Sequence, residues 1–253
     1  MVTLSLLVIS SVKKEINMYC KIADLIVNVP ETEGLAFRCQ DYKCDEAEGA
    51  DVLIRTALYR RGKYDPRVSD EVVAYMESAY QFYLQLVAHS GFYLHSSAVV
   101  RDGKAYLFSG PCRVGKSTHT RLWQKAFGEE AYVINDDKPA LRRIDGMWYA
   151  YGTPWCGKDG INKNEKAPLA GVCFLKQGKE NKIRRLSTLE AMQRILGQTI
   201  YKFDESRKLD KLLKSLESFL AEIPVFELEN VPEVSAAQLS YETMSKAARE
   251  AGL

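Results

Sequence analysis

KAYLFSGPCRVGKST, residues 104–118, runs an apolar strand pattern straight into Gly110-Pro111-Cys112-Arg113-Val114-Gly115-Lys116-Ser117. That octet matches GxxxxGK(S/T) at every position, and chance alone produces such a match in roughly 1% of chains this long. A helical pattern follows, from Lys116 to about Phe127. Each position has a physical task. Glycine admits the positive φ angles that turn successive N–H groups toward one anion, and the helix N-terminus adds its partial positive charge. Lys116 is suited to the β- and γ-phosphates of a nucleotide, and the Ser117 hydroxyl to Mg²⁺. Gly110, Pro111, Cys112, Arg113, Val114, Gly115, Lys116, Ser117 and Thr118 are therefore the expected nucleotide-binding residues. The bland alternative is a Gly-rich turn with an exposed lysine.

A phosphate loop needs an acidic metal partner at the end of a neighbouring strand. Val133-Ile134-Asn135-Asp136-Asp137 supplies one about 20 residues beyond the lysine. One carboxylate can hold Mg²⁺ while the other accepts a proton from an incoming hydroxyl. Adjacent carboxylates repel without a metal, so the pair implies the ion. A solvated pair of turn acids is the competing reading. His95 lies in FYLHSSAVV, residues 92–100, which reads as one strand joined through the Asp102-Gly103 hairpin signal to the strand feeding the loop. That hairpin would carry its imidazole toward the phosphate end. A lone strand histidine is more often a satisfied core residue, and His89 and His119 keep that reading.

Around this block the chain reads as one compact α/β unit, residues 65–253, with a small β-rich region over 1–64. IADLIVNV and VLIRTALY read as strands, with Pro30, Gly34 and the stretch Asp45 to Asp51 as loops. Ser69 caps a helix whose apolar stripe is Val72, Val73, Met76, Tyr80, Tyr83, Leu84 and Val87. ALRRI and MWYAYG flank a second hairpin at Asp145-Gly146, AGVCFL is a buried strand, and Lys182 to Leu186 is expected to pair with it. Ser187 with Glu190 makes a capping box, Leu209 to Leu220 carries an amphipathic stripe, and Ser235 with Gln238 caps a last helix ending at Gly252. The polar loop Thr153 to Asn164 is of a kind that closes over substrate.

The remaining composition excludes several classes. The chain has 253 residues, 46% hydrophobic and 27% charged, which is ordinary for a globular protein. Thirty-five basic against 33 acidic residues gives a net charge of +2, so no global field recruits nucleic acid or anionic membrane. The apolar run at 2–9 lacks a basic flank and a cleavage site, so a buried first strand or an over-extended start is expected there. Six cysteines without a CxxC pair read as free thiols in a reducing cytoplasm.

The His95-x-Ser97 strand, the GPCRVGKS loop and the Asn135-Asp136-Asp137 strand end together resemble the HPr kinase/phosphorylase and PEP carboxykinase type of P-loop ATPase. LHSSAVV, GKSTHTRLW, NDDKPALR and YGTPWCGK look more narrowly like HPr-kinase-related serine kinases. The resemblance implies a mixed β-sheet flanked by helices, with ATP and Mg²⁺ as cofactors. It implies that Lys116 and Ser117 bind ATP and metal, that Asp136 and Asp137 provide the metal site and the base, and that His95 supports the base. Asp136 is taken as the base and Asp137, with Ser117, as the metal residue. The implied reaction moves the γ-phosphoryl group to a serine-type hydroxyl of a peptide or protein. A kinase of a small hydroxylated metabolite and a non-catalytic ATP-binding sensor are the rivals, and self-association into a homo-oligomer is left open. Thr118 stands where HPr kinases proper resemble GKSE. Arg113 is suited to a phosphate or the partner, and Cys112 to a small-residue role or an activated thiol. Lys158, Lys163 and Arg184 are candidates for neutralising the transferring group, against an ordinary role as solvated surface cations.

Overall fold

The computed structural model describes residues 16–45, 49–201 and 206–253; the apolar run at 2–9 lies outside them. β1 (Asn17–Ile22) and β2 (Leu25–Pro30) form an antiparallel hairpin. IADLIVNV is thus two strands, because Ala23 and Asp24 both adopt positive φ (53° and 59°) and reverse the chain. Gly34 lies in a short helix, α1 (Glu33–Arg38), which Thr32 caps by accepting from the Leu35 N–H. Of VLIRTALY only β3 (Val52–Leu53) is strand, added parallel to β2. The Gln85 and Gln81 amides bond the main chain of Leu53 and Arg55, so two side chains replace a further strand.

Ser69 does cap α2 (Asp70–Leu86). Its inward face differs from the expected stripe: Val72 and Met76 are exposed, and Ala74, Ser78 and Phe82 are buried. This face packs on the three-stranded sheet and on Tyr93, Tyr151 and Trp155 in one shared core. Mean hydropathy could not show the shift, because the small residues Ala74 and Ser78 are what let the helix approach the Trp155 indole, which donates to Ser78 Oγ.

FYLHSSAVV is interrupted. β4 (Gly91–Tyr93) and β5 (Ser96–Arg101) flank a break at Leu94-His95. β6 (Lys104–Ser109), α3 (Lys116–Phe127), β7 (Ala131–Asp137), β8 (Ala140–Ile144), β9 (Met147–Tyr151) and β10 (Lys166–Gln177) follow, with both hairpins as expected. β11 (Lys182–Arg185), α4 (Thr188–Leu196), α5 (Ser206–Glu222), β12 (Val225–Asn230) and α6 (Val234–Glu250) complete the chain. β11 pairs with β12, which lies between it and β10, so the expected β10 pairing is not made. The last helix starts at Val234 with Glu233 at its N-cap, ahead of the expected Ser235 cap.

The main mixed sheet contains nine strands among the described residues, and β10 joins its two halves. The N-terminal part of β10 pairs antiparallel with β9, and its C-terminal part runs parallel to β6 and β12. Alternation along the central strands then covers both faces. Ala98, Val100, Leu107, Val172 and Phe174 point toward α4 and α5, where Ile195, Leu212, Leu216 and Phe219 meet them. Val99, Tyr106, Phe108 and Cys173 point the other way, onto Trp123 of α3 and Met244 of α6. None of the described helices is long and apolar enough to cross a membrane.

Candidate functional site

Strand register places the site. β5 lies between β6 and β7 and runs antiparallel to both, so β6 and β7 are parallel and end on the same edge. Ser96 pairs with Ser109 on one side and with Asp137 on the other. The residue before Ser96 is His95, and the residue after Ser109 opens the glycine loop. Three segments far apart in sequence therefore reach one edge, with β6 and β7 about 10 Å apart across β5.

Both glycines of the loop adopt positive φ. Gly110 and Gly115 take φ of 142° and 108°, and α3 starts directly at Lys116. Arg113 also has positive φ, at 66°, which costs a non-glycine residue about 1–2 kcal/mol. Lys116 lies folded across the loop, its Nζ donating to the Gly110 carbonyl at 3.1 Å and the Pro111 carbonyl at 3.3 Å. Burial pulls its ammonium below the usual lysine range, and the nearby Asp137 carboxylate opposes that shift. Cys112 is exposed with a free thiol.

The two aspartates have separate partners. Asp136, 8% exposed, accepts from the Ser117 hydroxyl at 3.1 Å. Asp137 Oδ1 lies 3.0 Å from His95 Nε2, and its other oxygen pairs with the Lys138 ammonium. Burial alone would raise the Asp137 carboxyl; the His95 hydrogen bond and the Lys138 charge outweigh it and hold the group at about 2. Asp137 also has φ 97°, which turns the end of β7 sharply.

Several positioning groups were not legible in the sequence. Gln198, just beyond α4, accepts the His95 main-chain N–H at 2.9 Å and meets His95 Nδ1 with its own Oε1 at 3.0 Å. It is 103 residues from His95, and no local signal links them. Asn135 is fully buried; it donates to the Thr153 carbonyl and accepts from the Lys138 N–H, fixing the strand end. Lys138 was adjacent to the aspartates and could have been singled out on that ground. Arg38, from α1, stacks on Tyr75 at 4.5 Å and approaches the Gly157 carbonyl at 3.5 Å, while the Tyr75 hydroxyl accepts from the Gly157 N–H.

The Thr153–Asn164 segment is largely anchored, contrary to the expected closing loop. Trp155 is fully buried against Phe82 and Tyr83, with centroids at 4.9 and 5.7 Å. Further along, Asn162 donates to Tyr42 and Asn164 to the Asp41 carbonyl. Lys158 sits on the exposed tip, Lys163 lies 4.1 Å over the Tyr132 ring, and Arg184 is engaged with Glu190 and Glu227. Gly152 anchors the segment's start, since a Cβ there would stand 1.8 Å from the Lys163 carbonyl oxygen and 2.7 Å from that of Ile134. Gly152→Ala should therefore lower stability by more than about 3 kcal/mol, read as a fall in Tm of roughly 10 °C. A shift under about 2 °C would show that the segment relaxes freely.

No protein-family profile matches the chain, and no curated protein matches it in sequence. The structure of the HPr(Ser) kinase/phosphatase from Coxiella burnetii aligns with 62% of this chain and 90% of its own, at 12% identity and a TM-score of 0.33.

Proposed function

We propose that the chain is an ATP- and Mg²⁺-dependent kinase acting on a serine-type hydroxyl of a peptide or protein. The observation that carries this reading is the shared edge itself: a glycine loop with Lys116, an Asp136–Ser117 pair and an Asp137–His95 pair brought together by register. A mere nucleotide binder has no use for the last of these.

Loop amides, the α3 N-terminus and Lys116 would hold the triphosphate. Displacement of Lys116 from the Gly110 and Pro111 carbonyls would free its ammonium for the β- and γ-phosphate oxygens. The Ser117 hydroxyl and Asp136 carboxylate form a hard-oxygen donor set that fits Mg²⁺. Held by them, the ion would neutralise charge on the phosphates. These contacts favour the reverse of the roles expected from the sequence: Asp136 belongs with the metal and Asp137 with the base. The acceptor oxygen attacks the γ-phosphorus, the bond to the β–γ bridging oxygen breaks, and the hydroxyl proton passes to Asp137. A carboxyl held near 2 suits late transfer, because the hydroxyl becomes acidic only as the new O–P bond forms. His95, pinned by Gln198, and Lys138 orient that carboxylate.

Filled space behind Trp155 favours a peptide over an enclosed metabolite. The test is incubation of the protein and Mg²⁺ with ATP labelled at the γ-phosphate, alongside serine peptides and serine-like metabolites. Label on a peptide serine is the expected result. Label on a metabolite alone would select the metabolite kinase, and ATP bound without transfer to any acceptor would leave the sensor reading.

A further inference from the structure

Close to Asp137 stands a cation that no carboxylate balances. Arg38, the last residue of α1, is half-buried. Its partners are the Tyr75 ring at 4.5 Å, the Cys156 thiol at 3.7 Å and the Gly157 carbonyl at 3.5 Å, and among the described residues it forms no ion pair. Both polar contacts are long and both use Nη1. Nε and Nη2 donate to nothing among the described residues, yet neither is a buried unmet atom, so both reach solvent. The carboxylates nearby are committed elsewhere. Glu71 accepts from the Thr32 hydroxyl and the Gly34 N–H, and Asp159 pairs with Arg121.

The free edge of the guanidinium is held in place. Tyr75, under Arg38, has its hydroxyl fixed by the Gly157 N–H at 3.0 Å, and stacking on a ring leaves the in-plane N–H groups available. Gly157 is also the spacer to Asp137. Its carbonyl meets Arg38, and a Cβ on it would stand 3.1 Å from the Asp137 Cβ. Lys138, paired with Asp137, lies 5.4 Å from the same Tyr75 ring. Through these contacts the guanidinium lies within about 10 Å of the Asp137 carboxylate, a distance that about three extended residues span. Lys158, exposed and likewise without an ion pair among the described residues, follows Gly157 directly.

We infer that Arg38 reads an acidic side chain of the acceptor peptide, placed within about three residues of the serine that meets Asp137. This rests on the kinase reading above and adds a substrate class to it: serines in an acidic sequence. Nε and Nη2 can donate two parallel bonds to one carboxylate, a geometry that a lysine or amide on the peptide does not satisfy. A net charge of +2 provides no global field, so selection by charge falls to local cations such as this one.

The test uses the full chain with ATP, Mg²⁺ and end-blocked serine peptides that carry one Glu, Gln or Lys at each position within about three residues of the serine. At one position or more the Glu peptide should show a kcat/KM roughly tenfold to a hundredfold above its Gln counterpart, carried in KM. Arg38→Gln should bring that ratio near one, and Arg38→Glu should reverse the preference toward the Lys peptide. Arg38→Lys, which keeps the charge, should still favour Glu. A merely structural arginine gives no such reversal. If Arg38→Glu fails to fold, Arg38→Gln and Arg38→Lys carry the comparison. Equal use of Glu and Gln peptides by the wild type at every position would overturn the inference and leave the kinase reading standing. A Glu preference that survives Arg38→Gln would overturn it too, as would a loss equal for every peptide in all variants. Transfer by the wild type to no peptide at all would remove both readings.

Discussion

Lys116→Ala should reduce phosphoryl transfer by about a hundredfold to a thousandfold, as expected when one preorganised donor to developing charge is removed. The fold should barely notice. In the free protein Lys116 Nζ only bridges two loop carbonyls, and losing it exposes those carbonyls to water in an open loop at a cost of about 1 kcal/mol. The expected fall in Tm is therefore about 2–4 °C. Steady-state transfer assays alongside thermal unfolding separate the two effects. Wild-type turnover in the variant would remove the phosphate-site assignment, because no other described ammonium is folded across the loop.

Asp137→Asn should cost about 10²–10⁴ in turnover, the range associated with a positioned proton acceptor. It also has a signature in stability. The carboxyl titrates at about 2 in the fold against an ordinary 3.8. A folded pKa below the unfolded one means that ionised Asp137 stabilises the protein at every pH above about 4, and that this contribution disappears as the pH falls toward 2. Asn cannot titrate, so stability in the variant should lose this part of its acid dependence, with Lys138 left without its ion pair at neutral pH. Urea unfolding of both proteins between pH 2 and pH 7 is the measurement. Matching acid profiles with unequal turnover would mean that the His95 and Lys138 contacts do not hold Asp137 in solution. Asp136→Asn gives the complementary comparison: it should raise the Mg²⁺ concentration needed for transfer, since its partner is Ser117.

The elements legible in the sequence were those whose cause is local. The loop from Gly110 to Ser117 was readable because the positive φ at Gly110 and Gly115 favours glycine. The hairpins at Asp102-Gly103 and Asp145-Gly146, the Ser69 cap and the Ser187–Glu190 box are likewise decided within a few residues. By contrast, the Ala23-Asp24 reversal was hidden inside an apolar run. Neither residue is glycine, and the turn leans on contacts made far along the chain: Tyr151 and Lys166 both donate to the Asp24 carboxylate. The inward face of α2 was misread for a related reason, since a helix that must meet an indole closely buries its small residues.

The sequence by itself determined which groups are available here: a glycine loop with a lysine and a hydroxyl, two adjacent carboxylates, and a histidine just ahead of β5. Tertiary structure alone decided how those groups are shared. Pairing of β5 with both β6 and β7 set Asp137 against His95 and left Asp136 to Ser117. Adjacent strand residues point to opposite faces, so neighbours in sequence with identical side chains acquire different partners once the sheet forms. Gln198 meets His95 across 103 residues, a contact that no local pattern encodes.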